Sequence, residues 1–504
     1  MVPRSLDFAL AAASGVLLAL SFPTLGHPAL GWIALAPLLV ALHGRTPGRA
    51  FGLGLTTGVV YFGGTLYWIT LVMVLYGDVQ PTVALLINGA LVAYLALFPA
   101  LFAVATRRLV MALGPRALMA APPVWVATEL GRTHLFGGFP WVLLGYSQVS
   151  VLPIAQLASL FGVYGVSALV AMVSAAAATW AVAPSRSIRW HAVWPTVLAL
   201  ALVAVWGGRR AANAEWTRAG EPVRVGLVQG NVDQSEKWDP RRASAIFERY
   251  LAMTRQAMGE GAGVVVWPES ATPFTFEEDR AAADRVRALA REAQVPILLG
   301  SEEVERGAPT KYYNSAFLVG ADGSTAAVYR KMHLVPFGEY VPLRRLLFFA
   351  APLVEALGDF TPGGSAVLLP IDGHPASTAI CYEIVYPALV RRFVRDGSEL
   401  LTTITNDAWF GKTSAPYQHF AQASMRAIEN GRYLVRAANT GISGIVDPYG
   451  RVVAESEIFQ PAVILGEARF LRTSTLYTRT GDLFAYASVA AALALLSATR
   501  RRVK

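Results

Sequence analysis

The sequence predicts an α/β domain of about 250 residues inserted between the transmembrane helices of an eight-helix membrane bundle. Three observations predict it. Of the 504 residues, 54% are hydrophobic and only 15% charged, far more apolar than an ordinary soluble chain. The apolar residues gather in long runs over positions 1–210 and return in a closing segment, 481–504, that ends in a basic tail. Between them, over 221–472, charged residues reappear and short β-rich runs alternate with amphipathic stretches.

A stretch of about 20 apolar residues crosses a bilayer as a helix, because lipid offers the backbone no hydrogen-bond partner except its own. Eight stretches are candidates: 6–22, 29–42, 51–76, 83–106, 118–130, 154–182, 192–207 and 483–498. The second and fifth are short or interrupted by proline, so their limits stay open. The first reads as a retained anchor rather than a cleaved signal peptide, because further spans follow it.

Orientation follows from the short connections, since arginine and lysine are held on the cytoplasmic side. Arg4, Arg45 with Arg49, Arg107 with Arg108 and Arg116, Arg186 with Arg189, and Arg500, Arg501, Arg502 and Lys504 all fall on one side. The alternate loops near Leu25 and Asp78 carry no basic residue, and the loop near Phe136 has only Arg132. Both ends therefore face the cytoplasm and the 221–472 domain lies outside it. Arg209 and Arg210, just after the seventh span, break this pattern. The formal charge of +9 belongs to this topology; no RNA- or DNA-binding signature accompanies it, so no nucleic-acid partner is expected.

Within the domain, 223–229, 263–267, 295–300, 316–319, 377–381 and 400–405 read as strands buried on both faces. Helical spacing of apolar residues marks 241–258 and 277–293, and 416–430 starts on proline and stops before Gly431. Ala321-Asp322-Gly323 and Asp447-Pro448-Tyr449-Gly450 signal hairpin turns.

Cys381 is the one cysteine of the chain, so no internal disulfide is open to it, and its value is either packing or reactivity. Its surroundings favour reactivity. Glu269 follows the run Val264 to Trp267, Lys331 follows Val328-Tyr329-Arg330, and Cys381 ends a strand; strand ends are where open α/β sheets gather their chemistry. A cysteine nucleophile needs a base to form its thiolate, and a tetrahedral intermediate needs a cation or donor for its oxyanion. Glutamate, lysine and cysteine supply all three functions without histidine. Taken singly, each has a plainer reading: an inert buried thiol, a helix cap, a solvated strand-end charge. His333 reads as a structural histidine, Trp409 and Phe410 as core or loop anchors, and Glu129, Arg132 and His134 as the polar end of the fifth span.

The segments Trp267-Pro268-Glu269, Tyr329 to Tyr340 (YRKMHLVPFGEY) and Cys381-Tyr382-Glu383 resemble the Glu-Lys-Cys signature of the nitrilase superfamily. With the flanking spans, the chain resembles the membrane-embedded apolipoprotein N-acyltransferase family within it. Gln229-Gly230-Asn231 with Trp238, Phe139-Pro140-Trp141, Gly145-Tyr146-Ser147-Gln148 and Asn406-Asp407-Ala408-Trp409-Phe410 extend the likeness along nearly the whole chain. The resemblance implies a nitrilase-like α-β-β-α sandwich for the inserted domain. It implies Cys381 as nucleophile, Glu269 as general base and Lys331 as the cation at the intermediate. Glu339 and Glu383 take supporting roles, and Trp238 and Tyr382 match positions linked to substrate handling.

The activity implied is a ping-pong acyl transfer. A phospholipid donates an acyl chain to Cys381 as a thioester, and the α-amine of the diacylglyceryl-cysteine of an apolipoprotein takes it. That chemistry requires neither a cofactor nor a metal. The setting implied is the bacterial cytoplasmic membrane, with the catalytic domain on the periplasmic face. After Glu339, an apolar stretch over 343–357, interrupted by Arg344 and Arg345, reads as a lid that dips among membrane lipids, with Phe348 and Phe349 touching them. The alternatives are a membrane-tethered carbon-nitrogen hydrolase of amidase or nitrilase type, in which water takes the acyl group, and an inactive scaffold or transporter. A multispan bundle is superfluous to the first. An intact triad and spans poor in charge speak against the second.

Overall fold

The computed structural model describes residues 3, 5–24, 26–336, 338–340 and 360–500. The expected lid, Phe348 and Phe349 included, lies outside the described residues, as does the tail at 501–504.

The N-terminal part is helical, but its helices do not follow the apolar runs one for one. Among the described residues, three helices are long and apolar enough to cross a membrane: Pro81–Leu113, Ala158–Val182 and the helix that starts at Arg186. Pro47–Thr65 and Trp68–Tyr76 qualify together as a bent pair, with 48° between them. The sequence predicts one continuous span there. At the break the carbonyl of Leu66 accepts from the Ile69 backbone at 3.1 Å, and Asn88 adds a second bond: its amide donates to that carbonyl at 3.1 Å and to the Thr70 hydroxyl at 3.0 Å. Asn88 is buried, so the kink is built in rather than incidental. The stretch 29–42 likewise divides into Pro28–Gly31 and Ala36–Ala41, and the stretch 118–130 becomes Ala121–His134 with two prolines near its start. Summed hydropathy sees apolar length and is blind to such breaks. Gly54 and Gly58 of Pro47–Thr65 lie against the backbone around Pro99 and Ala96 of Pro81–Leu113, the close approach that small residues permit between membrane helices.

Two six-stranded sheets make the inserted domain. The first runs β12-β1-β2-β3-β4-β5, with β1 Glu221–Gln229, β2 Val264–Val266, β3 Ile297–Glu305, β4 Lys311–Val319, β5 Thr325–Arg330 and β12 Ala462–Phe470. The second runs β11-β10-β9-β8-β7-β6, with β6 Leu369–Ile371, β7 His374–Ile380, β8 Leu400–Thr405, β9 Leu434–Ala438, β10 Gly444–Val446 and β11 Val452–Glu455. Side-chain alternation explains the layering. Val223, Val225 and Leu227 of β1 and Val264 and Val266 of β2 share a core with Ala376, Ile380, Leu401 and Ile404 of the opposite sheet. Their neighbours Val228 and Val265 join Ile246, Leu251, Val286 and Leu289 of the helices Pro240–Gly259 and Arg280–Ala293. Sheet faces sheet, and helices cover the outer faces: an α-β-β-α sandwich.

The parallel pairs β1/β2, β2/β3, β7/β8 and β8/β9 form the centre of each sheet. Both expected hairpin turns are present, joining β4 to β5 and β10 to β11. β6, β9, β10, β11 and β12 and the helix Pro387–Arg395 add to what the sequence predicts; β6 and β10 are three residues long and β9 carries a buried arginine, so none of these three shows a clear apolar run.

The helix Ala415–Asn430 joins sandwich to bundle. It is buried along nearly its whole length, Tyr417 being the one partly exposed residue. Polar bonds fix its seat. Gln418 accepts from the Trp141 indole at 2.8 Å and donates to the Thr65 carbonyl at 3.2 Å, while Arg426 donates to the Tyr146 hydroxyl at 3.0 Å. Glu429 pairs with Arg426 and accepts from the Val163 backbone at 2.9 Å. Trp141 and Tyr146, singled out in the sequence as motif residues of the helical part, thus hold the bundle to the sheet domain. Glu129 and Arg132 brace the same region: Arg132 donates to the carbonyls of Phe139 and Trp141 at 3.1 and 2.6 Å, and Glu129 accepts from the Leu144 backbone at 2.7 Å.

Candidate active site

Glu269, Lys331 and Cys381 leave the C-terminal ends of β2, β5 and β7, and all three are buried. The two sheets bring these ends together from 112 residues of sequence, between Glu269 and Cys381, into one pocket of charge. Lys331 Nζ lies 3.3 Å from Glu269 and 2.8 Å from Glu339, so one ammonium serves two carboxylates. The Asn314 amide donates to Glu269 at 2.8 Å and to Glu339 at 2.9 Å, and the Asn406 backbone donates to the second oxygen of Glu269 at 2.9 Å. Glu339 is itself held by the Val335 backbone at 2.7 Å.

The electrostatics follow from that packing. Burial alone would push the Glu269 carboxyl up, but Lys331, the Asn314 amide and Lys237 outweigh it and hold it below the ordinary carboxylate range. Lys331 is desolvated too, yet Glu339 and Glu269 raise it well above an ordinary lysine. Burial, then the Glu269 carboxylate, pushes the Cys381 thiol up, while Lys331 opposes them. The resting site is therefore carboxylate, ammonium and thiol. Glu269 holds an open charge able to take the thiol proton once an electrophile arrives.

Cys381 has φ +52°, in the left-handed region that a non-glycine residue adopts only under constraint. Two devices hold it. Glu383 reaches back, accepting from the Ile380 backbone at 2.8 Å, the Met332 and His333 backbones at 2.6 and 3.0 Å and the Tyr329 hydroxyl at 2.8 Å. It fastens the cysteine turn to the segment that carries Lys331. Burial, against those donors, raises its carboxyl to about 7. On the other side His419 Nε2 lies 3.1 Å from the Cys381 carbonyl, while its Nδ1 is 3.1 Å from both Arg436 Nη2 and Asp407. Burial and Arg436 push the imidazole below its ordinary range, so the ring is neutral. Arg436, bonded to Asp407 at 2.7 Å, donates to Nδ1, which leaves the ring proton on Nε2 to hold the carbonyl.

Around this centre the expected residues divide. Tyr382 is buried and stacks with Trp141 of the helical part, ring centroids 6.4 Å apart. Trp238 stands at the surface, 46% exposed, 5.9 Å from the ammonium of Lys237. His333 packs on Tyr386 and does not enter the charged cluster. Trp409 and Phe410 meet Tyr76 and Trp68 of the bundle, as anchors do.

Sequence reasoning assigns no role to Asn406 and Asp407, which it meets only as part of a motif, and overlooks Asn314, His419, Arg436 and Lys237. Lys237 is the most accessible to it, since it adjoins Trp238: its ammonium is buried, lies 3.5 Å from the Glu269 carbonyl and is pushed down to about 8 by burial. A backbone detail matters as well. A Cβ at Gly300 on β3 would stand 2.5 Å from the Pro268 carbonyl and 2.7 Å from Glu269 Cα. Gly300→Ala is expected to cost about 1–3 kcal/mol of overpacking and to displace Glu269, seen as a lower thermal unfolding midpoint and slower alkylation of Cys381 by iodoacetamide.

Known proteins resemble the chain along its length. Residues 224–473 match the carbon-nitrogen hydrolase family model, and residues 14–176 match that of the apolipoprotein N-acyltransferase N-terminal domain. Apolipoprotein N-acyltransferase of Geobacter metallireducens is 43% identical over 99% of this chain and 96% of its own. That of Methylococcus capsulatus is 35% identical over 98% and 96%. Among solved structures, a mutant of a Nesterenkonia AN1 amidase from the nitrilase superfamily covers 53% of this chain and 97% of its own at 20% identity, with a TM-score of 0.40. With identity of this order across both the helical bundle and the sandwich, the chain belongs to the apolipoprotein N-acyltransferase family.

Proposed function

We propose that this chain transfers an acyl group from a membrane phospholipid, through a thioester on Cys381, to the α-amine of the diacylglyceryl-cysteine of an apolipoprotein. The names of its relatives support the class of reaction. One observation carries the residue roles: Cys381, strained at its strand end, shares a buried site with a Glu269 carboxylate and a Lys331 ammonium, and its neighbour Tyr382 stacks on a tryptophan of the bundle. That stack sets the cysteine turn against the helical part of the molecule.

In the first half-reaction the Cys381 thiol gives its proton to Glu269 as sulfur attacks the ester carbonyl. Lys331 stabilises the oxyanion, and the collapsing intermediate expels the lysophospholipid alkoxide, which takes the proton back from Glu269. In the second, the acceptor amine attacks the thioester, Glu269 accepts an amine proton, and the thiol leaves with it to give an amide. Asn314 and Glu339 keep Lys331 aimed, and Glu383 and His419 keep the cysteine turn aimed. The basic loops of the helical part support placing the sandwich on the periplasmic face of the bacterial cytoplasmic membrane.

The test is to incubate the purified chain with labelled phospholipid and weigh the peptide that contains Cys381. An acyl adduct is expected, absent in Cys381→Ala, and it should pass to a diacylated lipopeptide as an amide. Failure to form the adduct overturns the proposal. An adduct that water removes while the lipopeptide stays unmodified assigns the chain to the hydrolases.

A further inference from the structure

Arg209 and Arg210 break the charge pattern of the loops, and the acyl-transfer site does not use them. They sit near the end of the helix Arg186–Asn213, where the chain leaves the bundle for β1. A cavity of about 620 Å³ opens there. Both arginines line it, together with Trp206, Trp216 and Tyr449, the last from the turn between β10 and β11. The guanidinium of Arg210 stacks on Trp216, its carbon 4.3 Å from the ring centroid. Stacking satisfies the face of a guanidinium and leaves its edge, and the N–H groups there require acceptors in the plane. Nε and Nη2 of Arg210 are buried without a hydrogen-bond partner, so an acceptor in the cavity reaches them as the side chain turns outward, and among the described residues Arg210 has no carboxylate partner. Glu215 also lines the cavity and pairs with neither arginine among the described residues.

The approach to the cavity is apolar. Leu202 is 62% exposed and Val205 55%, on a helix whose most apolar window is only 11% buried within the molecule. On a helix long enough to cross a membrane, that outward face is covered by acyl chains. A cation with an unfilled edge, tryptophans beside it and acyl chains leading up to it are the three parts of a phospholipid site: phosphate, interface and tails.

We propose that this cavity binds the headgroup phosphate of a bilayer phospholipid, held by Arg210 with Arg209 at its mouth, as a structural lipid separate from the acyl donor. The lipid would bridge the Arg186–Asn213 helix and the 447–450 turn, and so set the height of the sandwich above the bilayer. The same chemistry would admit a soluble phosphate ester; the exposed apolar face favours the lipid. The inference rests on the passage of this helix through the membrane and is independent of the acyl-transfer reading.

Native mass spectrometry of the full chain in detergent tests it, with dioleoylphosphatidylglycerol, dioleoylglycerol and glycerol 3-phosphate added separately. One phosphatidylglycerol is expected to be retained about tenfold more tightly than dioleoylglycerol, and Arg210→Gln is expected to erase that margin. Arg210→Lys keeps the charge without the planar fork and should lose part of it, which serves if the glutamine variant does not fold. Equal retention of dioleoylglycerol, unchanged affinity in both variants, or displacement of the lipid by equimolar glycerol 3-phosphate overturns the proposal. Acylation of Cys381 is read in the same samples: its persistence while lipid retention falls supports a separate site, and its absence in the parent bears only on the active-site reading.

Discussion

Lys331→Met is expected to slow acylation of Cys381 by at least about a hundred- to a thousandfold, the loss typical of removing one stabilising group from an oxyanion site. The effect has a second signature in pH. In the parent, Glu269 is held below the ordinary carboxylate value of 4.5, so its contribution to stability and its capacity as a base are present above that pH and are lost as pH falls through its lowered value. Lys331 is raised above the ordinary 10.5, so its share is present below that pH and is lost only as pH rises through the raised value. Methionine removes the nearest cation while burial remains, and Glu269 and Glu339 then face each other across Asn314 with Lys237 as the remaining counter-charge of Glu269. The carboxyl of Glu269 must rise, and the acid limb of the acylation profile moves to higher pH. Single-turnover acylation measured from pH 4 to 9 reads both effects. An acid limb that stays in place, with only the rate reduced, would show that Lys331 does not set the charge of Glu269.

Arg436→Met is the second large effect and acts through folding. Asp407 is fully buried, and its carboxyl, despite that burial, is held at about 2, chiefly by Arg436. Without the guanidinium an uncompensated carboxylate is left in the interior, at about 3–5 kcal/mol. The loss also removes the donor that places the His419 proton on Nε2, so the hold on the Cys381 carbonyl weakens. The expected outcome is a clearly lower unfolding midpoint together with slowed acylation. Arg436→Met combined with Asp407→Asn separates the two: the double variant has no orphaned charge and should regain much of the stability, yet acylate slowly. Full recovery of the rate along with the stability would mean that His419 does not act on the cysteine turn.

That Glu269, Lys331 and Cys381 meet was legible because each stands at or near the end of a short run: Lys331 and Cys381 directly follow β5 and β7, and Glu269 comes three residues after the end of β2. Of the residues that orient these three, only Asn406 and Asp407 stood at the end of a predicted strand, and nothing local gave them a role. Asn406 and Asp407 follow β8, and Arg436 lies within β9; they reach Glu269 and the cysteine turn because β7, β8 and β9 run parallel in register, a long-range fact of pairing that no local pattern announces. His419 lies on a helix whose amphipathic pattern is visible, but a helix buried nearly all round hides which polar groups it turns inward. Among the helices, apolar length was readable, while the break at Leu66 is braced by Asn88, 22 residues away. The two tryptophan- and tyrosine-bearing motifs of the helical part were recognisable as patterns; that they clasp Gln418 and Arg426 required the fold.

The seat of the helix Ala415–Asn430 makes the catalytic half inseparable from its anchor. Freed of the helical part, a sandwich cut out at 221–472 would present to water the groups that now meet Trp141, Tyr146 and Val163, and the shelf on which Tyr382 rests would be gone. The helical part supplies one wall beside the cysteine turn, and detaching it dismantles the packing around Cys381 along with the tether.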